Sequence, residues 1–125
     1  MTADMVCCPL DGGDEPPAFC HTTMPRARKE HRCTECHETI AVGDRHEATR
    51  GKWASSMSTF RTCLSCVEIR NHFACGSGWV YGDVWSQLED SFFPDMKAGG
   101  PCMAGLSPEA KARLFARRMK WLEER

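Results

Sequence analysis

The chain has 125 residues, with 16 Lys and Arg against 17 Asp and Glu, a formal net charge of −1 and a pI of about 6.5. That length bounds it to one domain with a tail, and the near-neutral balance argues against a whole domain built to bind phosphate. No apolar run approaches the roughly 18 residues that span a bilayer. Met1–Leu10 has neither the basic nor the apolar stretch of a signal peptide. The nine Cys therefore point to thiolate–metal chemistry in a reducing cytoplasm rather than to a secreted disulfide framework.

Residues 1–25 carry four acids and no Lys or Arg, and Gly12-Gly13, Pro16-Pro17 and Pro25 interrupt regular structure. This stretch is expected to be an acidic extended arm. Arg26, Arg28, Lys29 and Arg32 then lead into Cys33-Thr34-Glu35-Cys36. Glu38–Asp44 reads as a short strand and a turn at Gly43. Strand formers recur at intervals of two over Arg45–Trp53 and Met57–Thr62, which predicts a hairpin joined at Ser55-Ser56. Thr62 is placed to cap a helix whose first turn holds Cys63 and Cys66 and which runs to about Phe73.

Asp83 is the expected N-cap of a second helix, with Trp85, Leu88 and Phe92 as its apolar stripe and Pro94 as its stop. Residues 95–106 contain Gly99-Gly100-Pro101 and read as a linker. Ser107-Pro108-Glu109 opens the clearest helix, expected over 107–125, with Ser at the N-cap, Pro at N1 and an acid in the first turn. Leu114, Phe115, Met119 and Leu122 fall on one side of it, and Arg113, Arg117 and Lys120 on another.

The chemistry lies in two Cys-x-x-Cys pairs, Cys33/Cys36 and Cys63/Cys66, separated by 26 residues. One pair alone could be a redox dithiol; two in a short domain point to a tetrahedral four-thiolate site for structural zinc. A helix start at the second pair would favour thiolates, because its free N–H groups carry partial positive charge. Iron is the alternative metal, and the hairpin between the pairs favours zinc. A structural zinc supplies on the order of 10 kcal/mol or more of folding free energy, which a core this small needs. His31 and His37 flank the first pair but are superfluous to a full site. Cys7, Cys8, Cys20, Cys75 and Cys102 lack the paired spacing and read as small buried or free thiols rather than a second metal site.

The order of knuckle, hairpin and Cys-x-x-Cys helix, carried by Cys33, Cys36, Ile40, Gly43, Cys63 and Cys66, resembles the treble-clef zinc-finger group over residues 31–73. The resemblance implies a small α+β zinc-binding domain, here 26–94, extended by further helices. Ala27-Arg28-Lys29-x-His31-x-Cys33-x-x-Cys36, Ile40-x-x-Gly43, Gly51-x-Trp53, Phe60-x-Thr62-Cys63-x-x-Cys66 and Tyr81-Gly82 also resemble small uncharacterised zinc-binding proteins of tailed phages and prophages. That resemblance implies a source, the cytoplasm of a phage's host cell, and a fold; the closed metal site, near-neutral pI, acidic arm and missing catalytic constellation point to an accessory protein that engages, or inhibits, a host or viral protein.

Asn71-His72 after the second pair invites comparison with an HNH nuclease, with His46 as base and His72 as its partner on the helix. The strand in which a Pro follows the catalytic His is missing, as are a phosphate loop, a nucleophile elbow and a His-Glu-x-x-His helix. The expected protein is therefore not an enzyme but a zinc-stabilised module with a protein partner and no membrane. The alternative is a DNA- or RNA-binding finger using Arg26, Arg28, Lys29, Arg32, Arg113, Arg117 and Lys120; an HNH-like nuclease comes third. Trp53, Trp79, Trp85 and Trp121 are core candidates, any exposed one being an interface anchor.

Overall fold

The computed structural model describes Leu10 and residues 19–53, 56–74, 78–96 and 101–124. The alternating stretch forms a long antiparallel hairpin of β4 (His46–Trp53) and β5 (Ser56–Cys63), in register from His46 opposite Cys63 to Trp53 opposite Ser56. β1 (Phe19–Thr23) pairs antiparallel with the other edge of β4, giving the order β1-β4-β5. The end of the stretch read as an arm is thus a strand, and Leu10, only 2% exposed, lies in the core. The physical reason is the edge of β4, whose backbone groups need hydrogen-bonding partners.

A second, two-stranded sheet pairs β2 (His31–Arg32) with β3 (Thr39–Ile40). Three helices complete the described residues: α1 (Leu64–Ala74), α2 (Val84–Ser91) and α3 (Pro108–Glu123). Short 3-10 turns lie at Phe93–Asp95 and Pro101–Met103. The architecture is a small α+β domain with antiparallel sheets.

α1 buries Cys66, Ile69, Arg70, Phe73 and Ala74, the i, i+3, i+4, i+7, i+8 stripe of a helix lying on a core. Its start differs from the sequence reading. Cys63 ends β5, because the ladder with β4 runs through it, and Thr62 is a buried strand residue whose hydroxyl has no partner among the described residues. Asp83 occupies the N-cap position of α2 without a side-chain cap bond. Glu35 takes that role: its buried carboxylate accepts from the Gly82 N–H at 2.9 Å and the Val84 N–H at 3.2 Å.

Residues 95–106 do not merely connect. Met96, Cys102, Met103 and Leu106 are buried in the same core as Phe73, Trp85, Leu88 and Phe93. α3 follows with the Ser107 hydroxyl accepting from the Ala110 N–H at 3.1 Å. It buries Ala110 and Leu114, while Phe115 and Trp121 pack partly against the core. Met119 and Leu122 are 57% and 42% exposed, so in the second half of α3 it is Trp121, against Phe93, that meets the core.

Candidate metal centre

Cys33 and Cys36 sit on the turn between β2 and β3, tied by the Cys33 N–H to the Glu38 carbonyl and the His37 N–H to the Cys33 carbonyl, both 2.9 Å. His37 closes that turn with φ 65°, in the left-handed region that few non-glycine residues adopt. Cys63 comes from the end of β5 and Cys66 from the first turn of α1. The four Sγ atoms lie within 4.8 Å of one another, with Cys36 and Cys63 at 3.9 Å. A tetrahedral ion with bonds of about 2.3 Å has sulfur–sulfur edges of about 3.8 Å. These four side chains could hold a metal ion.

N–H groups point at three of the sulfurs: Cys63 N–H at Cys33 Sγ (3.4 Å), Trp85 Nε1 at Cys66 Sγ (3.4 Å) and Arg113 Nη1 at Cys36 Sγ (3.2 Å). Donors of this kind orient thiolates and offset their negative charge. Left to themselves the thiols divide their protons unevenly. Hydrogen bonding from Cys36, then Cys63 and Cys66, holds Cys33 far below its ordinary range, while Cys33 and Cys36 push Cys63 and Cys66 up. At Cys36 the upward pull of Cys33 is outweighed by Cys63 and Cys66, which leaves it at about 6. A bound cation would displace the protons these thiols still carry.

The residues around the cysteines fasten the centre to the rest of the molecule. Thr34 donates its N–H to the Arg61 carbonyl at 2.7 Å and accepts from the Arg61 N–H at 3.2 Å, fixing the knuckle to β5. Burial, opposed by its hydrogen bonds from Gly82 and Val84, raises the pKa of Glu35. On α1, Glu68 accepts from the Ser107 N–H (2.7 Å) and hydroxyl (2.8 Å), and the Ser65 hydroxyl donates to Glu109 (3.2 Å). Trp85 and Arg113 complete the links from α2 and α3. Sequence reading assigned none of these ties, because the partners are 19 to 77 residues apart.

The histidines stand apart from the metal-capable group, which among the described residues consists of the four cysteines alone. His46 is fully buried, its Nδ1–H donating to the Asp44 carbonyl (3.3 Å) and its Nε2 accepting from Arg61 Nη1 (2.9 Å). His31 lies beside it at 5.8 Å between rings, and His37 is exposed. His72 Nε2 donates to the Cys102 carbonyl at 2.6 Å. His46 and His72 therefore have separate partners. Desolvation first, then the charges of Arg61, His46 and Lys29, lowers the pKa of His31.

The cations named from the sequence meet several different partners, and Arg113, Arg117 and Lys120 line one groove beside Cys36. Arg26 donates to the Gly43 carbonyl (3.3 Å) and Arg32 to the His37 carbonyl (2.9 Å). Arg113 is engaged with Cys36 and with Glu38 at 3.2 Å, and Arg117 reaches Glu89 at 3.9 Å and stacks on Trp85 at 5.0 Å. Arg28, Lys29 and Lys120 are exposed. A further polar group was missed altogether: the buried pair of Arg70 with Glu47, bidentate at 2.6 and 2.8 Å, with the guanidinium also 4.0 Å over the Trp79 ring.

Cys20 is an exposed free thiol. Cys102 is buried and disulfide-bonded, a correction to its reading as a lone thiol, since only the fold decides which sulfurs approach. Cys7, Cys8 and Cys75 lie outside the described residues. No helix among the described residues is long and apolar enough to cross a membrane. Comparison with known proteins finds no matching family model, no similar curated protein and no similar solved structure.

Proposed function

We propose that Cys33, Cys36, Cys63 and Cys66 hold one structural zinc ion and that the protein is a non-catalytic, zinc-stabilised binding module of treble-clef-like design. The observation that carries this reading is the convergence of four sulfurs within 4.8 Å. Four thiolates complete a tetrahedral coordination shell and leave no open position at which water could be activated. When bound, the ion supplies charge neutralisation and a cross-link between knuckle, hairpin and helix. The chain's own residues supply the rest: Trp85 and Arg113 donate to its sulfurs, and Thr34, Glu35 and Glu68 fasten the surrounding elements.

A host or viral protein is the partner that the near-neutral charge and the phage-like sequence pattern support. Elemental analysis of purified protein should find one zinc per chain. Incubation with plasmid and single-stranded DNA in magnesium or manganese should give no cleavage. Cleavage that disappears in a His46→Ala variant retaining its zinc would replace this reading with the nuclease one. A tagged chain in host lysate should capture a specific protein, and should lose it when the zinc is stripped.

A further inference from the structure

The two faces of the β1-β4-β5 sheet differ in chemistry. The inner face carries Glu47, Thr49 and Phe60, which meet Arg70 and Tyr81. The register puts His21 from β1, Arg50 and Lys52 from β4, and Thr59 and Arg61 from β5 on the outer face. No Asp or Glu occupies an outer-face position in either ladder. His21, Arg50, Lys52 and Thr59 are exposed, and Arg61 is half-buried against His46. His21, Arg50 and Thr59 stand side by side across the three strands. Neighbours across a sheet are about 5 Å apart and alternate residues along a strand about 7 Å apart. The fixed positive charges thus form one patch on a rigid surface with no carboxylate among them.

We propose that this outer sheet face binds the phosphodiester backbone of duplex nucleic acid, with Arg50, Lys52 and Arg61 neutralising phosphates and Thr59 and His21 donating beside them. Charge complementarity selects the occupant. Protein interfaces concentrate their energy in desolvated aromatic and Arg anchors, and here the register places one aromatic residue, Phe19 opposite Lys52, at the edge of the patch. Among the described side chains, Met57, 46% exposed, is the large apolar one on this face. Trp53, Phe60 and Tyr81 cluster on the other side of the sheet. Like charges gathered on one face are offset by a polyanion, and Arg, Lys and Thr are common phosphate donors. The surface goes beyond the binding-module reading: it needs the folded domain but not the proposed protein partner, and it is distinct from the basic face of α3.

The test uses the zinc-loaded full chain and a short fluorescein-labelled DNA duplex, followed by anisotropy. Three phosphate contacts give a slope of log affinity against log salt of about −2.7, or a loss of about 40-fold between about 50 and 200 mM salt. Arg50→Ser/Lys52→Ser should cut low-salt affinity at least about tenfold and make the slope shallower by about two. Thr59→Glu, which puts a carboxylate into the patch, should also abolish binding and decides the matter if the double variant misfolds. Lys120→Ser on α3 should bind like the parent. Absence of low-salt binding, insensitivity to the outer-face substitutions, or equal competition by polyglutamate would overturn the proposal. Zinc content measured on the same samples separates failure of this surface from failure of the metal reading.

Discussion

At one end of the β4–β5 hairpin, Cys63 opposite His46 joins a cluster of four sulfurs; at the other, Trp53 opposite Ser56 leans on Phe60 and Tyr81. The first end has little backbone structure of its own. β2 and β3 are two residues each, far below what an isolated sheet needs, so this end depends on whatever draws the cysteines together. The second end is held by side-chain packing: Phe60 stacks on Tyr81 at 4.6 Å, and Trp53 meets both rings edge-on. One hairpin thus spans two kinds of stabilisation. Perturbing each separately shows whether they form one cooperative unit.

The largest effect is expected at the sulfur end. Cys63→Ser should remove the metal and with it on the order of 10 kcal/mol, leaving the knuckle and the start of α1 unstructured. Elemental analysis with amide NMR checks this, and a metal-free variant that remains fully folded would break the comparison. Next comes Glu47→Ala, which leaves the Arg70 guanidinium buried without its carboxylate. The loss should be about 3–5 kcal/mol, read as a lower urea midpoint, while zinc content stays at the parent level. Loss of zinc in this variant would show that the buried pair and the neighbouring sulfur site unfold together.

Arg113→Ala tests the sulfur end more gently. Removing the donor to Cys36 should weaken zinc binding about tenfold, or about 1.4 kcal/mol, in competition with a chelator, with no change in helix content. The smallest effect is set by pH. Burial raises the pKa of Tyr81, the one Tyr of the chain, with its hydrogen bond to Thr49 opposing and the Glu47 charge reinforcing. A raised group contributes stability that is complete below its ordinary value of 10 and is lost as pH rises through the folded value. The aromatic end should therefore loosen in alkali, and phenolate absorbance should titrate above pH 10. The sulfur end should instead fail in acid, where protons compete for thiolates. A Tyr81 midpoint at or below its ordinary value would place the ring in water.

What was legible in the sequence was what local spacing encodes. Two Cys-x-x-Cys pairs named the sulfurs, alternation named the hairpin, and Ser107-Pro108-Glu109 named the start of α3. What was missed depends on distant partners. Phe19–Thr23 follows a Pro-rich stretch and becomes a strand only because β4 offers an edge 25 or more residues later. The cap of α2 is Glu35, 49 residues from Val84, so Asp83 drew attention by position alone. Arg113 looked like a solvent-facing cation because a sulfur 77 residues earlier is invisible in a helical projection. The outer sheet face was hidden for the same reason: Arg50 and Arg61 share a surface only once register is known.

The donor from α3 also has a consequence for how the chain is made. Arg113 follows Cys36 by 77 residues, and bacterial and eukaryotic ribosomes add about 5–20 residues per second. All four cysteines therefore leave the ribosome seconds before the guanidinium that covers Cys36. A nascent chain can capture its ion early, but it holds that ion with one sulfur still open to solvent, oxidants and competing ligands. The centre closes only once α3 has docked, so metal exchange should be fastest before Arg113 reaches Cys36 and slow sharply afterwards.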